Sequence, residues 1–149
     1  IDLIIASGED HVWLVRRKDT SQLATMGGFV DVGETVEAAV VRELKEEMGV
    51  DLTTKPKLMG IYSDPRRDNR RHTVSTVFAV DLGPDIHPHA ASDVKDVQRI
   101  SLSDIEKHHF FADHKSILLD YKRSRHLQVP KEFHDDAGER VVRSTCHNS

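Results

Sequence analysis

The feature that most constrains this chain is the segment from Gly28 to Val50, where a glycine-rich bend leads into a run of helix-forming residues. Residues 35 to 48 are rich in Ala, Val, Leu, Glu and Lys, and Gly49 suits a helix C-terminus. At about 100° per residue, Glu43 and Glu47 lie one turn apart on one helix face, with Glu46 to their side. A neighbouring apolar stripe can pack on a sheet and consists of Val40, Val41, Leu44 and Met48.

The three helix glutamates allow two interpretations. Like charges at these spacings destabilise a helix unless something offsets their repulsion. The glutamates therefore form either a solvated acidic face, partly neutralised by Arg42 and Lys45, or a site for a cation. Mg²⁺ prefers carboxylate oxygens and often keeps water and substrate phosphates as its other ligands. The preceding double glycine, Gly27-Gly28, favours the cation site, because it lets the backbone approach a ligand closely. Glu34 can either turn toward the same carboxylates or pair with Arg42.

The remaining pattern predicts strands before and after this helix and further helices at the end. Residues 1–6 and 11–15 form a predicted hairpin, and residues 57–63, 73–82 and 94–100 are further predicted strands. Ser101 is expected to cap a short helix over 102–107, and Asp113 a longer one that reaches about Ser124. This order predicts an α/β sandwich with a mixed sheet. We expect one domain over 1–126 and a C-terminal tail or extension over 127–149.

Composition excludes several classes of protein. The 149 residues are 38% apolar and 31% charged, which is typical of one globular domain. No apolar run approaches the roughly 20 residues that a membrane helix needs, and a net charge of −4 argues against a nucleic-acid binder. The single cysteine, Cys146, and the lack of a leader pattern indicate the cytoplasm, although an organelle stays open. The chain starts within a predicted strand, so we expect native residues before it, and a homodimer stays open.

The segment 28–50 resembles the signature of the Nudix hydrolases, G-x5-E-x7-R-E-U-x-E-E-x-G-U, where U is aliphatic. Its fixed positions are matched by Gly28, Glu34, Arg42, Glu43, Leu44, Glu46, Glu47, Gly49 and Val50. The resemblance implies an α/β/α Nudix sandwich with a central mixed sheet, which hydrolyses a nucleoside diphosphate linked to another moiety. It implies Mg²⁺, or Mn²⁺ in its place, as the cofactor.

The same resemblance implies roles for individual residues. Glu43 and Glu47 resemble the principal metal ligands, Glu46 a further ligand or the general base, and the carbonyl of Gly27 another ligand. Glu34 resembles an additional ligand or a residue that supports one. Arg42 resembles the residue that orients the glutamates through ion pairs. The implied catalytic set is therefore Arg42, Glu46 and Glu47, although an acid in a later loop, such as Asp93 or Asp96, is an alternative base.

Other segments narrow the implied substrate. Residues 62–75 resemble the S-D-P-x-R-D-P-R-x-H-x-V-S run of small ADP-ribose pyrophosphatases, residues 29–34 their F-V-D-x-G-E, and residues 111–114 a variant of their late F-D-H. The resemblance implies cleavage of ADP-ribose to AMP and ribose 5-phosphate. Three residues depart from the pattern: Met26 and Asn69 replace prolines, and Arg71 replaces a glycine. The alternatives are a house-cleaning nucleoside triphosphate pyrophosphatase and a non-catalytic, nucleotide-sensing module.

The arginine-rich loop, residues 64–71, is the predicted substrate contact in this acidic chain. Arginine forks bind phosphate oxygens in pairs, so we expect Arg66, Arg67 and Arg70 to contact the substrate, and by resemblance Phe29 as well. The alternative is a solvated loop that pairs with Asp64 and Asp68. Trp13 and Tyr62 could stack on a base, although either is more often a core residue. His72 is expected to be structural, and a metal site at His87 and His89 is disfavoured.

Overall fold

The computed structural model describes residues 1–83, 85–89 and 94–126, together with two short strands near the C-terminus. The elements in chain order are β1 (Asp2–Ala6), β2 (His11–Arg17), β3 (Leu23–Ala24), β4 (Met26–Gly27), α1 (Val36–Met48), β5 (Lys57–Tyr62), β6 (Ser75–Asp81), β7 (Val94–Ser101), a 3₁₀ helix (Ile105–Lys107), α2 (His114–His126), β8 (Phe133–His134) and β9 (Arg140–Val141). No helix among the described residues is long and apolar enough to cross a membrane.

The central sheet is mixed, as the sequence predicted. Its main path runs β3-β2-β1-β6-β5, with β7 on the other edge of β2. β1 and β6 are parallel, whereas the β1–β2 hairpin and the β5–β6 and β2–β7 pairs are antiparallel. β1 therefore has neighbours on both edges, which explains its almost continuous apolar sequence.

The first two strands separate at one end, and the chain between Leu23 and Gly27 fills the gap. β4 pairs with the start of β1, where Asp2 lies opposite Gly27. β3 pairs with the end of β2, where Val15 lies opposite Ala24. Thr25 lies between these two short strands. The double glycine is thereby fixed at the open end of the β1–β2 pair.

Alternate residues of the strands bury two separate cores, as a period of two requires. Leu3 and Ile5 belong to the core that also contains the apolar stripe of α1. Ile4 and Ala6 belong to the opposite core, which α2 covers with Ile117 and Leu118. A helix on each face of one mixed sheet confirms the predicted α/β/α sandwich.

The C-terminus of α1 matches its predicted signal, whereas Thr35, which the sequence placed inside the helix, is its N-cap. The Thr35 hydroxyl accepts a hydrogen bond from the backbone N–H of Ala38 at 3.1 Å. At the other end, Gly49 adopts a left-handed φ of 66°, which a glycine adopts without a steric penalty. The segment 28–50 therefore begins in a loop and continues through a helix with two defined ends.

Several predicted boundaries were wrong. Residues 102–107 contain only one 3₁₀ turn at Ile105–Lys107, because Ser101 still belongs to β7 and its hydroxyl bonds within the following turn. β2 continues to Arg17, and β6 begins at Ser75. The predicted tail over 127–149 lies outside the described residues, apart from the antiparallel pair of β8 and β9.

Candidate active site

A cleft of about 330 Å³ opens beside the double glycine. β2 and the loop after it form one side, the β3–β4 step forms the floor, and the end of α1 contributes Glu47. The lining residues are Val15, Arg16, Arg17, Lys18, Asp19, Ala24, Thr25, Gly27 and Glu47. Two of the predicted metal ligands, Gly27 and Glu47, thus lie in one cleft together with three cationic side chains.

Arg42 is the centre of an ion-pair network around this helix. Its Nε and Nη2 donate to both carboxylate oxygens of Glu34, each at 2.9 Å. Its Nη1 donates to Glu43 at 2.8 Å and to Glu46 at 3.1 Å, and Nη2 also donates to the Phe29 carbonyl at 2.9 Å. Hydrogen bonding to Glu34 and then Glu43 raises the pKa of Arg42, and the same contact lowers the pKa of Glu34. Of the two options for Glu34, the structure has the pair with Arg42.

Glu43 is the most enclosed of the predicted carboxylates. Only 11% of its side chain is exposed, and it lies directly against the backbone of the double glycine. A Cβ placed on Gly28 would be 2.0 Å from Oε1 of Glu43. The observed position of the Glu43 carboxylate therefore requires a glycine at position 28, because a larger side chain would displace it.

Glu46 and Glu47 differ in their surroundings. The side chain of Glu46 is 60% exposed and reaches Arg42, whereas Glu47 lines the cleft. Among the described residues, no three His, Cys, Asp or Glu side chains converge as a group able to hold a metal ion. A cation at this site would therefore need backbone or solvent oxygens, or rotation of the carboxylates, in addition to the present arrangement.

The three predicted substrate arginines have different environments. Arg66 is 89% exposed at its side chain and pairs with Asp64. Arg70 pairs with the carboxylate of Asp68 through Nε and Nη2. The side chain of Arg67 is only 6% exposed, which favours a structural role over the expected substrate contact.

Arg67 belongs to a buried polar network beneath the arginine-rich loop. It donates through Nε and Nη2 to the two carboxylate oxygens of Asp113, each at 2.9 Å, and through Nη2 to Asp2 at 3.2 Å. Asp2 also accepts from the Ser75 hydroxyl at 2.6 Å. This network connects β1, β6, the loop and the residues just before α2.

His114 extends the network to the floor of the cleft. Its Nδ1 accepts the backbone N–H of Thr25 at 2.9 Å, and its Nε2 lies 3.7 Å from Asp2. Burial lowers the pKa of His114. The imidazole is therefore held neutral, with its proton on the nitrogen that faces Asp2.

The predicted aromatic contacts have different exposures. Phe29 is 73% exposed, and the guanidinium of Arg71 lies 5.9 Å from its ring centre. The hydroxyl of Tyr62 donates to Asp120 at 2.8 Å on α2. Trp13 is 9% exposed in the core beside α1, and its Nε1 has no partner among the described residues. His72 contacts the Ser63 carbonyl at 3.1 Å, in keeping with a structural residue.

Sequence reasoning did not assign a role to Asp2, Arg17, Thr25 or Phe111. Asp2 carried a usable signal, because a carboxylate in an otherwise apolar central strand needs a buried partner. Phe111 lay in a segment whose resemblance was noticed but not interpreted. Arg17 and Thr25 gave no signal, because their roles depend on how β2, β3 and β4 separate.

Comparison with known proteins matches the chain to one protein family and to a relative of known activity. The NUDIX domain family profile matches residues 1–121. An ADP-ribose pyrophosphatase from Methanocaldococcus jannaschii is 41% identical over 123 residues, which cover 80% of this chain and 70% of that protein.

Solved structures agree with this assignment. A bifunctional NMN adenylyltransferase/ADP ribose pyrophosphatase from Francisella tularensis, complexed with AMP and a Mn ion, has a TM-score of 0.72 and 30% identity over 83% of this chain and 40% of its own. The NUDIX domain of Shewanella oneidensis NrtR, complexed with ADP ribose, has a TM-score of 0.73 at 21% identity, over 83% of this chain and 84% of its own, and so supports the fold. Because the family profile covers residues 1–121 and the M. jannaschii relative is 41% identical, the chain belongs to the Nudix hydrolase family.

Proposed function

We propose that this protein hydrolyses the diphosphate bond of ADP-ribose to AMP and ribose 5-phosphate with Mg²⁺, or Mn²⁺ in its place. The observation that carries the proposal is the cleft that Gly27 and Glu47 share with a cationic wall of Arg16, Arg17 and Lys18. The choice of ADP-ribose is supported by the 41% identity to the M. jannaschii ADP-ribose pyrophosphatase.

The oxygen donors around the double glycine are of the chemical type that a hard divalent cation prefers. Glu43, Glu47 and the carbonyl of Gly27 would hold it, with Glu46 and Glu34 as additional or supporting carboxylates. The close approach of Glu43 to Gly28 brings a carboxylate beside the backbone at this point. When bound, the cation neutralises phosphate charge and lowers the pKa of a bound water.

The chain's own residues position the reacting groups. Arg42 fixes Glu34, Glu43 and Glu46 relative to one another through its hydrogen bonds to all three. Water adds to one phosphorus atom, the P–O bond to the bridging oxygen breaks, and a carboxylate accepts the proton that water loses. Glu47 is the better placed acceptor, because it lines the cleft while Glu46 is held by Arg42 on an exposed surface.

The cations of this wall would bind the phosphate oxygens of the substrate. Arg16, Arg17 and Lys18 line the cleft, and Arg70 lies within reach of the same region because it shares the Phe111 ring with Arg17. The exposed ring of Phe29 offers a surface for a base or ribose. Arg66, which is largely exposed, can exchange its contact with Asp64 for a phosphate at little cost.

A substrate panel with Mg²⁺ tests the proposal. ADP-ribose, other nucleoside diphosphate sugars, dinucleoside polyphosphates and oxidised nucleoside triphosphates are incubated with the protein, and products are separated by chromatography. We expect AMP and ribose 5-phosphate from ADP-ribose at the highest kcat/KM. Faster release of pyrophosphate from triphosphates would replace the proposal with the house-cleaning activity. Tight ADP-ribose binding without turnover would indicate a sensing module.

A pair of matched variants in α1 tests the acidic site. Glu47→Gln should lower kcat about 100-fold or more, because it removes both a metal ligand and the proton acceptor. Glu37→Gln, in the exposed first turn of the same helix, should leave kcat unchanged. Near-normal turnover by the Glu47 variant at saturating Mg²⁺ would contradict the role given to this residue.

A further inference from the structure

Residues 111–114, which form the turn that leads into α2, contact three different parts of the cleft region. Phe111 donates its backbone N–H to the Leu23 carbonyl at 2.8 Å, which ties the turn to β3. Ala112 adopts a left-handed φ of 48°, a conformation that costs a non-glycine residue free energy. A strained backbone held by so many neighbours suggests that the placement of its side chains matters.

The Phe111 ring carries two guanidinium groups. Arg17 lies with its Cζ 4.1 Å from the ring centre, and Arg70 with its Cζ at 4.8 Å. Arg17 is the last residue of β2 and lines the cleft, and Arg70 belongs to the arginine-rich loop. One aromatic side chain thereby connects two cationic segments that are distant in sequence.

Aspartates fix the edges of the same two guanidinium groups. Arg17 donates through Nε and Nη2 to Asp19 at 2.9 and 2.6 Å, and Arg70 pairs in the same way with Asp68. A planar group held by a ring on its face and a carboxylate on one edge keeps a defined orientation. Such an ordered cation loses less conformational entropy when it meets an anion.

The next residues of the turn fix the other parts of the cleft. Asp113 holds Arg67, the buried anchor of the arginine-rich loop. His114 holds Thr25 in the floor of the cleft. The turn therefore contacts the cationic wall through Phe111, the arginine-rich loop through Asp113 and the floor through His114.

We propose that Phe111, supported by Asp113, is a positioning residue that orients Arg17 and Arg70 for the phosphates of the substrate. The inference rests on the proposed function for the identity of the substrate, but its core is the recognition of a diphosphate anion. Phe111 touches no reacting atom in this scheme. Its loss should weaken binding of the anion and leave the acidic site at Glu47 working.

The neighbouring phenylalanine provides a matched control. Phe110 is 9% exposed and packs in the core beneath α2, whereas Phe111 packs against the core beside α1. Phe110→Leu should lower the melting temperature without changing anion binding. Phe111→Leu should weaken binding about 3- to 30-fold, the range expected when guanidinium groups lose an aromatic face. Phe111→Tyr keeps the aromatic ring and should therefore bind the anion about as tightly as the wild type.

Two measurements separate positioning from a general loss of stability. Calorimetric titration with ADP and with inorganic pyrophosphate, in Mg²⁺, gives the Kd of each variant without turnover. Steady-state kinetics with ADP-ribose gives KM and kcat. We expect Phe111→Leu to raise both Kd and KM while kcat stays within about two-fold of the wild type.

The outcomes are distinguishable from failure of the proposed function. If ADP-ribose is not hydrolysed but Phe111→Leu alone weakens both anions, the positioning role stands and the substrate is wrong. Equal Kd values for the wild type and a folded Phe111→Leu, or equal weakening by the Phe110 variant, would overturn the positioning role. If Phe111→Leu does not fold, Asp113→Asn takes its place and must also raise KM with kcat retained. A wild type that binds neither anion overturns both.

Discussion

At the scale of single residues, Arg42 shows how one side chain can hold an acidic site together. Three carboxylates near one another repel, and the arginine fork offsets this by bonding to Glu34, Glu43 and Glu46 at once. Lysine could not reproduce this arrangement, because its ammonium lacks a planar fork. The resemblance implied that Arg42 orients the glutamates, whereas the sequence left its pairing with Glu34 as one of two options.

Gly28 makes a prediction that separates stability from activity. Alanine at this position would place a Cβ 2.0 Å from the Glu43 carboxylate. Because that carboxylate ends a flexible side chain, it can rotate away and the fold should survive. We expect Gly28→Ala to lower kcat about 10- to 100-fold, as misplaced metal ligands and their supports do, with a cooperative melting transition retained.

Gly60 supplies the control for that variant. A Cβ at Gly60 would meet only the ring of Tyr62, at 3.9 Å, so Gly60→Ala should leave kcat unchanged. Initial rates over a range of Mg²⁺ concentrations compare the two variants. Wild-type kinetics in Gly28→Ala would mean that Glu43 does not need its observed place.

At the scale of elements, the sequence predicted those whose signals are local. α1 was predicted from its helix-forming residues, its apolar stripe and Gly49, and the observed helix ends at Met48 as expected. β3 and β4 were missed because strands of two residues have no periodicity of their own. They exist because β1 and β2 separate and leave edges that need partners.

The cap of α1 gives a prediction about stability. Thr35→Ala removes the hydroxyl that accepts from the N–H of Ala38, and we expect a loss of about 1 kcal/mol in the free energy of unfolding. Thr35→Ser keeps the hydroxyl and should retain most of that stability. Chemical denaturation of the two variants measures the difference. An equal loss in both would mean that the hydrogen bond does not stabilise the helix.

At the scale of the whole molecule, buried charge connects parts of the chain that lie far apart in the sequence. Asp2, Arg67 and Asp113 come from β1, the arginine-rich loop and the turn before α2. The sequence predicted the arginine-rich loop, but as a surface that contacts substrate or solvent. A chain with four arginines in six residues does not indicate which of them points inward, because that depends on a distant carboxylate in the first strand.

His114 lies at the centre of this connection and should make folding stability depend on pH. Burial, first of all, lowers its pKa, and the positive charges of Arg67 and Arg17 act in the same direction against Asp2 and Asp113. Its Nδ1 already accepts the N–H of Thr25, so a second proton would break that bond. The folded protein therefore resists protonation that the unfolded chain accepts near the ordinary histidine pKa of about 6.5.

The sign of the effect follows from proton uptake on unfolding. Above pH of about 6.5 neither state binds the proton, so the contribution is complete; as the pH falls further, the unfolded state gains a proton first and the free energy of unfolding decreases. The decrease can reach about 1.4 kcal/mol per pH unit until the folded pKa is passed.

Urea denaturation at about pH 7, 6 and 5 measures how the free energy of unfolding changes with pH. His114→Asn keeps an acceptor for Thr25 but does not titrate, so the slope should be smaller in this variant by the share due to His114. Equal slopes in the two proteins would mean that the imidazole is protonated in the folded state as easily as in the unfolded one, and that the Thr25 contact does not hold it neutral.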